Sequence, residues 1–531
     1  MSKYKTLKIM GYIAASILGL AILILLVGVL FLKPWTERKI TESINRNPQF
    51  PYSLTYAEYD LSLSTRSVTF TDLVLTPKSD TLAVGVHLVG AKIEELRISG
   101  IGLYDLWRNN FSADKISLST PHIAMRKGRS KPVDSPAKTP FKQLIRVNQL
   151  DLTAGRFQWE DSLGKQHLVY LENLDIQIDQ IEIDSTSLKN KVPFRFADYR
   201  VSYDSLAAVV NRFYTLSTKK TRLDNDRLQL RELELKPVYS KEEFQKKITK
   251  ETDLFAVKNT DLQLDRFHWT LDQNGFKLTA AKLQLDSLTA EVYRNKAVAD
   301  DTSIKPLFSK KLRDLNFFLA LDTVIVKHSA IAYIEQLDFN TEASHIKFGA
   351  FNAQITQVLS GIAAKERKKK TQIDVDCLFM GTAPLKVHWN FDVNNTADQF
   401  VFSGSIHQLP TAKLNTFLRP QINATTTGTL DQVYFNIYGN QRESKGDFKI
   451  KYRDFKIEFL RKNGQKKNQF LSAIGNLFVR NDTDNTFNEA EIEQLRNEEK
   501  SFFNFMWISL ADGLKKTFLV TNSKHSSKKK G

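Results

Sequence analysis

From Tyr56 to about residue 488 the chain alternates apolar and polar residues with period two, and this pattern limits the fold more than any other feature. YDLSLSTRSVTFTDLVLT sets Leu61 and Leu63, then Val68 and Phe70, at alternate positions with Ser and Thr between them. Successive side chains of a strand point to opposite faces, so such a segment makes a strand buried on one face only. The texture returns in DKISLSTPHIAMRK, NQLDLTAGRFQWED, NLDIQIDQIEID, LQLDRFHWTLD, LALDTVIVKHSAIAYIE, VHWNFDV, QFVFSGSI, VYFNIY and DFKIKYRDFKIEFL. With only 22 Gly and 14 Pro in 531 residues, little interrupts it. The expectation is a mainly β protein built on a long antiparallel sheet.

Apolar pairs four residues apart recur: Leu61/Leu63 to Val68/Phe70, Ile116/Leu118 to Ile123/Met125, and Leu150/Leu152 to Phe157/Trp159. Val324/Val326 to Ile331/Tyr333 and Phe448/Ile450 to Phe455/Ile457 match them. At 42% apolar content such a template recurs by chance, so the spacing identifies no repeat by itself. Trp159, Trp269 and Trp389 each follow an apolar residue by two positions, which puts each pair on one sheet face. Core packing and the lining of an apolar groove both fit.

Met10 to Leu32 is 23 residues without a charge, long enough as a helix to cross a hydrocarbon core. A cleaved leader has a shorter apolar core, about 7–15 residues, and a small-residue cleavage site. LKPWTERK follows instead, so a retained transmembrane helix is expected, with the body on one side of the membrane. Lys3, Lys5 and Lys8 before it nearly balance Lys33, Arg38 and Lys39 after it, and charge alone does not orient the span.

The remaining expectations are local. TERKITESINR reads as a stalk helix, and KGRSKPVDSPAKTP, from Lys127 to Pro140, as a basic Pro-rich loop. SLAAVVNRFYTL has helical apolar spacing, SKEEFQKKITKETD reads as a short surface helix, and KERKKK (365–370) as a solvated charge run. Residues 489–519 read as an amphipathic helix, acidic in front and aromatic behind, with Phe502, Phe503, Met506 and Leu510 as docking candidates.

Few chemistries find support. Cys377 is the single cysteine, which excludes an intramolecular disulfide framework and a cysteine-based zinc site. NDTDNTFNEAEIE has acidic residues at the ends of a calcium loop, but Phe487 stands where the turn needs Gly. No nucleophile elbow, Walker loop or complete dinucleotide fingerprint occurs. Neither a catalytic residue, a metal ligand nor a cofactor is nominated. The net charge of +17 is spread over many strands, which argues for acidic lipid headgroups and against nucleic acid.

The order of parts resembles the AsmA-like family of membrane-anchored envelope proteins. It rests on the basic N-terminus and span, on YDLSLSTRSVTFTDLVLT, on AKIEELRISGIGLYDLWRNNFSADKISLSTPHIAMRK as strand, short helix, strand and strand, and on GDFKIKYRDFKIEFL followed by SAIGNLFVRND. The resemblance implies a long, curved, open β-trough related to bridge-like lipid transfer proteins. It also implies a single-pass location in the bacterial inner membrane, N-terminus cytoplasmic and body periplasmic.

On this reading residues 1–9 are cytoplasmic, 10–32 the span, 33–55 the stalk helix and 56–126 the first sheet section. Residues 127–142 are the loop, 143–488 the extended groove, 489–519 the C-terminal helix and 520–531 a basic tail. The groove candidates are Leu61, Leu63, Val68, Phe70, Leu150, Leu152, Phe157, Trp159, Leu262, Leu264, Phe267, Trp269, Val324, Val326, Ile331 and Tyr333. Phospholipid is the expected ligand, and the inner membrane and an outer-membrane or envelope protein at the C-terminal end are the expected partners. The alternative is a scaffold that offers sheet edges to client β-proteins.

Overall fold

The computed structural model describes residues 45–46, 52–62, 64–78, 86–127, 142–190, 192–272, 275–338, 341–459, 482–483 and 485–526. They are mainly β, with 21 strands in one mixed sheet and a few short helices. The chain forms two compact units, Met1–Glu234 with Trp269–Phe276, and Leu235–His268 with Lys277–Gly531. The division falls at Glu234, not at the Pro-rich loop.

Unit 1 contains β1 (Tyr52–Thr55), β2 (Glu58–Ser62), β3 (Ser67–Pro77), β4 (Val86–Ser99), β5 (Phe111–Ser119) and β6 (His122–Lys127). They are followed by β7 (Ile145–Glu160), β8 (His167–Ile183), β9 (Asp198–Asn211) and β10 (Tyr214–Asp224). Helix α1 (Leu103–Trp107) joins β4 to β5, as the strand, helix, strand pattern expects. Registered pairs carry one apolar rung through Val68, Ile98, Ile116, Leu150 and Ile178, and the next through Phe70, Leu96, Leu118, Leu152 and Ile176. Apart from Ile101 and Phe194, every fully buried member of this core cluster comes from a strand. Among the described residues the buried core of unit 1 is therefore built almost wholly from strands.

Two expectations are corrected here, an all-antiparallel sheet and a helical SLAAVVNRFYTL. β7 runs parallel to β5 along its first half and parallel to β6 along its second. SLAAVVNRFYTL is not helical: it is the hairpin of β9 and β10, with Arg212 and Phe213 at the turn. Pairing with strands on both sides overrides its local periodicity.

The four-residue spacing has a structural cause. Alternation would send Leu152 and Phe157 to opposite faces, but the inward positions step by three at Gly155, after Ala154 at φ 53°. Phe70 to Leu73 does the same after Asp72, Val326 to Ser329 after His328, and Tyr452 to Phe455 after Asp454. At Ala154, His328 and Asp454 the pairing register shifts, a bulge that bends and twists the strand while keeping its apolar side chains on one face, whereas at Asp72 the pairing with β4 keeps its register.

Unit 2 holds most of β12 (Asp253–Asp272) and β13 (Gly275–Asn295), both reached after β11 (Arg227–Pro237). It continues with β14 (Phe318–Gln336), β15 (Ser344–Leu359), β16 (Thr371–Phe379), β17 (Ala383–Phe391) and β18 (Phe400–Pro410). β19 (Ala424–Gly439), β20 (Glu443–Phe459) and β21 (Asn488–Leu495) complete it. β13 and β14 are parallel, and from β14 to β21 each strand pairs antiparallel with the next.

Short helices occupy the connections of unit 2: α2 (Lys241–Gln245), α3 (Phe308–Arg313), α4 (Gly361–Arg367) and α5 (Asn415–Ile422). Helix α2, the expected short helix, opens on a capping box, Ser240 with Glu243. Helix α3 lies in the β13–β14 crossover and is pinned by Asp398, which is 1% exposed and accepts from Ser309 Oγ and Arg313 Nη2, each at 2.7 Å.

The C-terminal helix, α6 (Phe502–Ser526), begins later than the expected 489. Residues 488–495 are a strand because Ala490 and Ile492 alternate with Glu489, Glu491 and Glu493, opposite Phe448 and Gly446 of β20. Residues 52–55 of the expected stalk helix are likewise strand β1, paired with β3.

The expected span, Met10 to Leu32, lies outside the described residues. Among the described residues no helix is long and apolar enough to cross a membrane. The single-pass inner-membrane location is corrected accordingly, since no helix of the structure carries it.

Candidate apolar binding face

Unit 2 presents one continuous apolar face. One rung runs Leu283, Val324, Ile355, Ile373, Trp389, Phe402 and Ile437 across β13 to β19. The next runs Leu285, Val326, Ala353, Val375, Val387, Gly404 and Phe435. Beyond the His328 bulge, Ala290, Ile331, Phe348 and Phe379 form a third rung, and Val292, Tyr333 and Ile346 a fourth. The opposite face is polar, with exposed Asp374 against His388 at 2.7 Å and Asp376 against Lys386 at 3.7 Å.

The two ends of this face are covered to different degrees. Over β17 to β21, α6 lays Phe502, Phe505 and Met506 on the sheet, and Phe502 stacks on Trp389 at 4.4 Å between ring centroids, 10° apart. Gly513 fits there because a Cβ would come 2.7 Å from Cβ of Phe448. Over β13 to β16 Val324, Val326 and Ala353 are buried, but Leu283, Leu285, Ile331, Tyr333, Ile346, Phe348, Ile373, Val375 and Phe379 all keep part of their surface exposed.

Helix α6 also has a second apolar side. Phe503 and Trp507 are 65% and 46% exposed, and Leu510 and Leu514 continue their stripe half-buried. Phe503 meets Phe308 of α3 at 6.1 Å and Trp507 meets Phe417 of α5 at 5.4 Å, both edge to face.

Polar groups close the fourth rung. Glu335 accepts from Tyr333 Oη at 2.5 Å and from Gln421 Nε2 at 2.7 Å, with Lys296 Nζ 3.6 Å away. Burial, reinforced by the Glu335 carboxylate, holds the Tyr333 phenol well above its usual range. Arg294, opposite Glu335 on β13, forks onto Asp253 at 2.7 and 2.8 Å. These groups satisfy one another, which fixes the register of β13, β14 and β15 at that end.

Cys377 continues the inward row of Ile373 and Val375 and pairs with Leu385. Burial pushes its thiol up to about 11, so at neutral pH it is neither a thiolate nor a nucleophile.

The groove candidates separate into two groups. Val68, Phe70, Leu150, Leu152, Phe157 and Trp159 are sealed in the core of unit 1, and Leu61 is 51% exposed. Trp269 is half-buried in unit 1 and donates from Nε1 to Tyr199 Oη at 2.8 Å; Leu63 lies outside the described residues. In unit 2, Leu264 and Phe267 are buried and Leu262 half-buried on β12. Val324, Val326, Ile331 and Tyr333 fall together on the face described above.

Of the docking candidates, Phe502 and Met506 are buried against the sheet, Leu510 is half-buried, and Phe503 is exposed. Leu283, Leu285, Phe348 and Phe379 line the face without having been singled out. KLQLDSLTAEVY and HIKFGAFNAQI carry the signal, alternation broken by one step of three at Ser287 and at Ala350.

Comparison with protein-family models and with curated proteins gave no match.

Proposed function

We propose that the protein binds phospholipid acyl chains along the half-buried face of unit 2 and moves lipid without covalent chemistry. The observation that carries this reading is the set of in-register apolar rungs on β13 to β16, whose larger side chains on β13, β15 and β16 and at Ile331 and Tyr333 stay half-buried. An acyl chain laid along them gains about 0.8 kcal/mol per methylene removed from water. Bulges at His328 and Ala350 supply the bend that a trough-like wall needs. The AsmA-like resemblance, read from the order of parts, supports the same class of cargo, and lipid homeostasis is the role that follows from it. Such a site requires no catalytic residue.

The test is native mass spectrometry and lipid extraction of the purified full chain. Bound phospholipid that is lost in the Phe348→Asp and Ile331→Asp variants, with their circular dichroism unchanged, supports the reading. A wild-type chain that carries no lipid and takes up none from vesicles refutes it.

A further inference from the structure

An edge strand exposes backbone groups that can recruit a strand from another chain. β21 is such a strand, since among the described residues it pairs only with β20. The Glu493 N–H donates to Asp512 Oδ2 of α6 at 3.0 Å, and the Glu491 carbonyl accepts from Lys516 Nζ at 3.2 Å. Asp512 and Lys516 stand one helical turn apart and pair at 2.7 Å. Farther along, the Leu495 carbonyl accepts from Gln494 Nε2 at 3.1 Å. Backbone groups of a strand two residues apart point to the same side, so Glu491 and Glu493 turn the open edge toward α6.

We infer that Asp512 and Lys516 are an edge guard, a charged pair that takes the place of a neighbouring strand and keeps a second copy of this chain off β21. The pair supplies one acceptor and one donor, the two groups an added strand would bring to the same positions. The packing of α6 holds them there: Phe502, Phe505 and Met506 are buried on the sheet and Gly513 lies close to Phe448 and Ile492. A second copy is the occupant kept off because the edge can pair with itself: two β21 strands set antiparallel about Ile492 would align their outward backbone groups. That arrangement also sets Glu491 of one copy opposite Glu493 of the other, so repulsion backs up the guard at low salt. The inference does not depend on lipid binding.

The experiment uses the full chain and its mass in sedimentation as concentration rises. The wild type should remain monomeric. The double variant D512A/K516A should self-associate, with about a twofold or greater rise in weight-average mass, more at high salt than at low. The pair D512N/K516R keeps an acceptor and a donor and should stay monomeric. Adding E493P to D512A/K516A removes the outward N–H and should restore the monomer, because that amide takes no part in the β20 ladder. A D512A/K516A variant that is folded by circular dichroism and still monomeric overturns the inference. Association that persists with E493P does the same, since it must then use another surface.

Discussion

The apolar face of unit 1 and that of unit 2 are written in the same sequence pattern and end in different physical states. In unit 1 Leu150, Leu152 and all their rung partners except Ile176 are buried, and Phe157 is 1% exposed. In unit 2 the matching side chains beyond the bulge, Ile331 and Tyr333, stay half-buried, as do their neighbours on β13, β15 and β16. Alternation encodes which side of a strand is apolar. Whether that side is filled depends on what else reaches it: other strands in unit 1, and α3 and α6 over only part of unit 2.

The sharpest way to break this comparison is to remove one side chain from each face. Phe157→Ala should cost about 3–5 kcal/mol in urea unfolding, because it leaves a cavity in a sealed core. Phe348→Ala should cost less than about 1.5 kcal/mol, since part of that ring already faces water. Equal losses would mean that the two faces are packed alike.

Asp398→Ala should cost unit 2 about 3–5 kcal/mol by leaving Arg313 and Ser309 without their shared carboxylate. Because the pair anchors α3, thermal unfolding should also expose Cys377 to thiol reagents earlier than in the wild type. In the folded wild type at neutral pH, Cys377 should react far more slowly than a free thiol, because it is buried and its pKa is raised. Rapid labelling of the native chain would show the face to be more open than the structure has it.

The smallest effects concern the strand residues with left-handed backbone, which the two units share. Lys220 sits exposed on β10 at φ 45°. Lys220→Val should destabilise by about 1–2 kcal/mol, since a β-branched residue resists that backbone region. Lys220→Gly should be neutral or stabilising by up to about 1 kcal/mol. Chemical denaturation of the two variants separates them.

Strand-rich architecture was legible in the sequence because the inward and outward residues differ in polarity along nearly every strand. The apolar pairs at Val324/Val326 and Ile331/Tyr333 were legible too, but their common face depends on a bulge at His328. Nothing about an exposed His announces a left-handed backbone. The parallel pairing of β5 with β7 and of β13 with β14 was not legible, since register is set by long-range closure. EAEIEQL misled because Glu favours helices in isolation, whereas pairing with GDFKI decides its state. Burial was least legible: Phe157 and Ile331 occur in the same template, and only the tertiary structure distinguishes a sealed residue from a half-buried one.

The central claim is tested most directly by photocrosslinking the full chain with a phospholipid that carries a diazirine on its acyl chain, followed by peptide mapping. Crosslinks on β13 to β16 at residues such as Leu283, Ile331, Phe348 and Phe379, with none at Leu152, Phe157 or Trp159, are the predicted result. Crosslinks absent altogether, or spread equally over the rungs of unit 1, would contradict it.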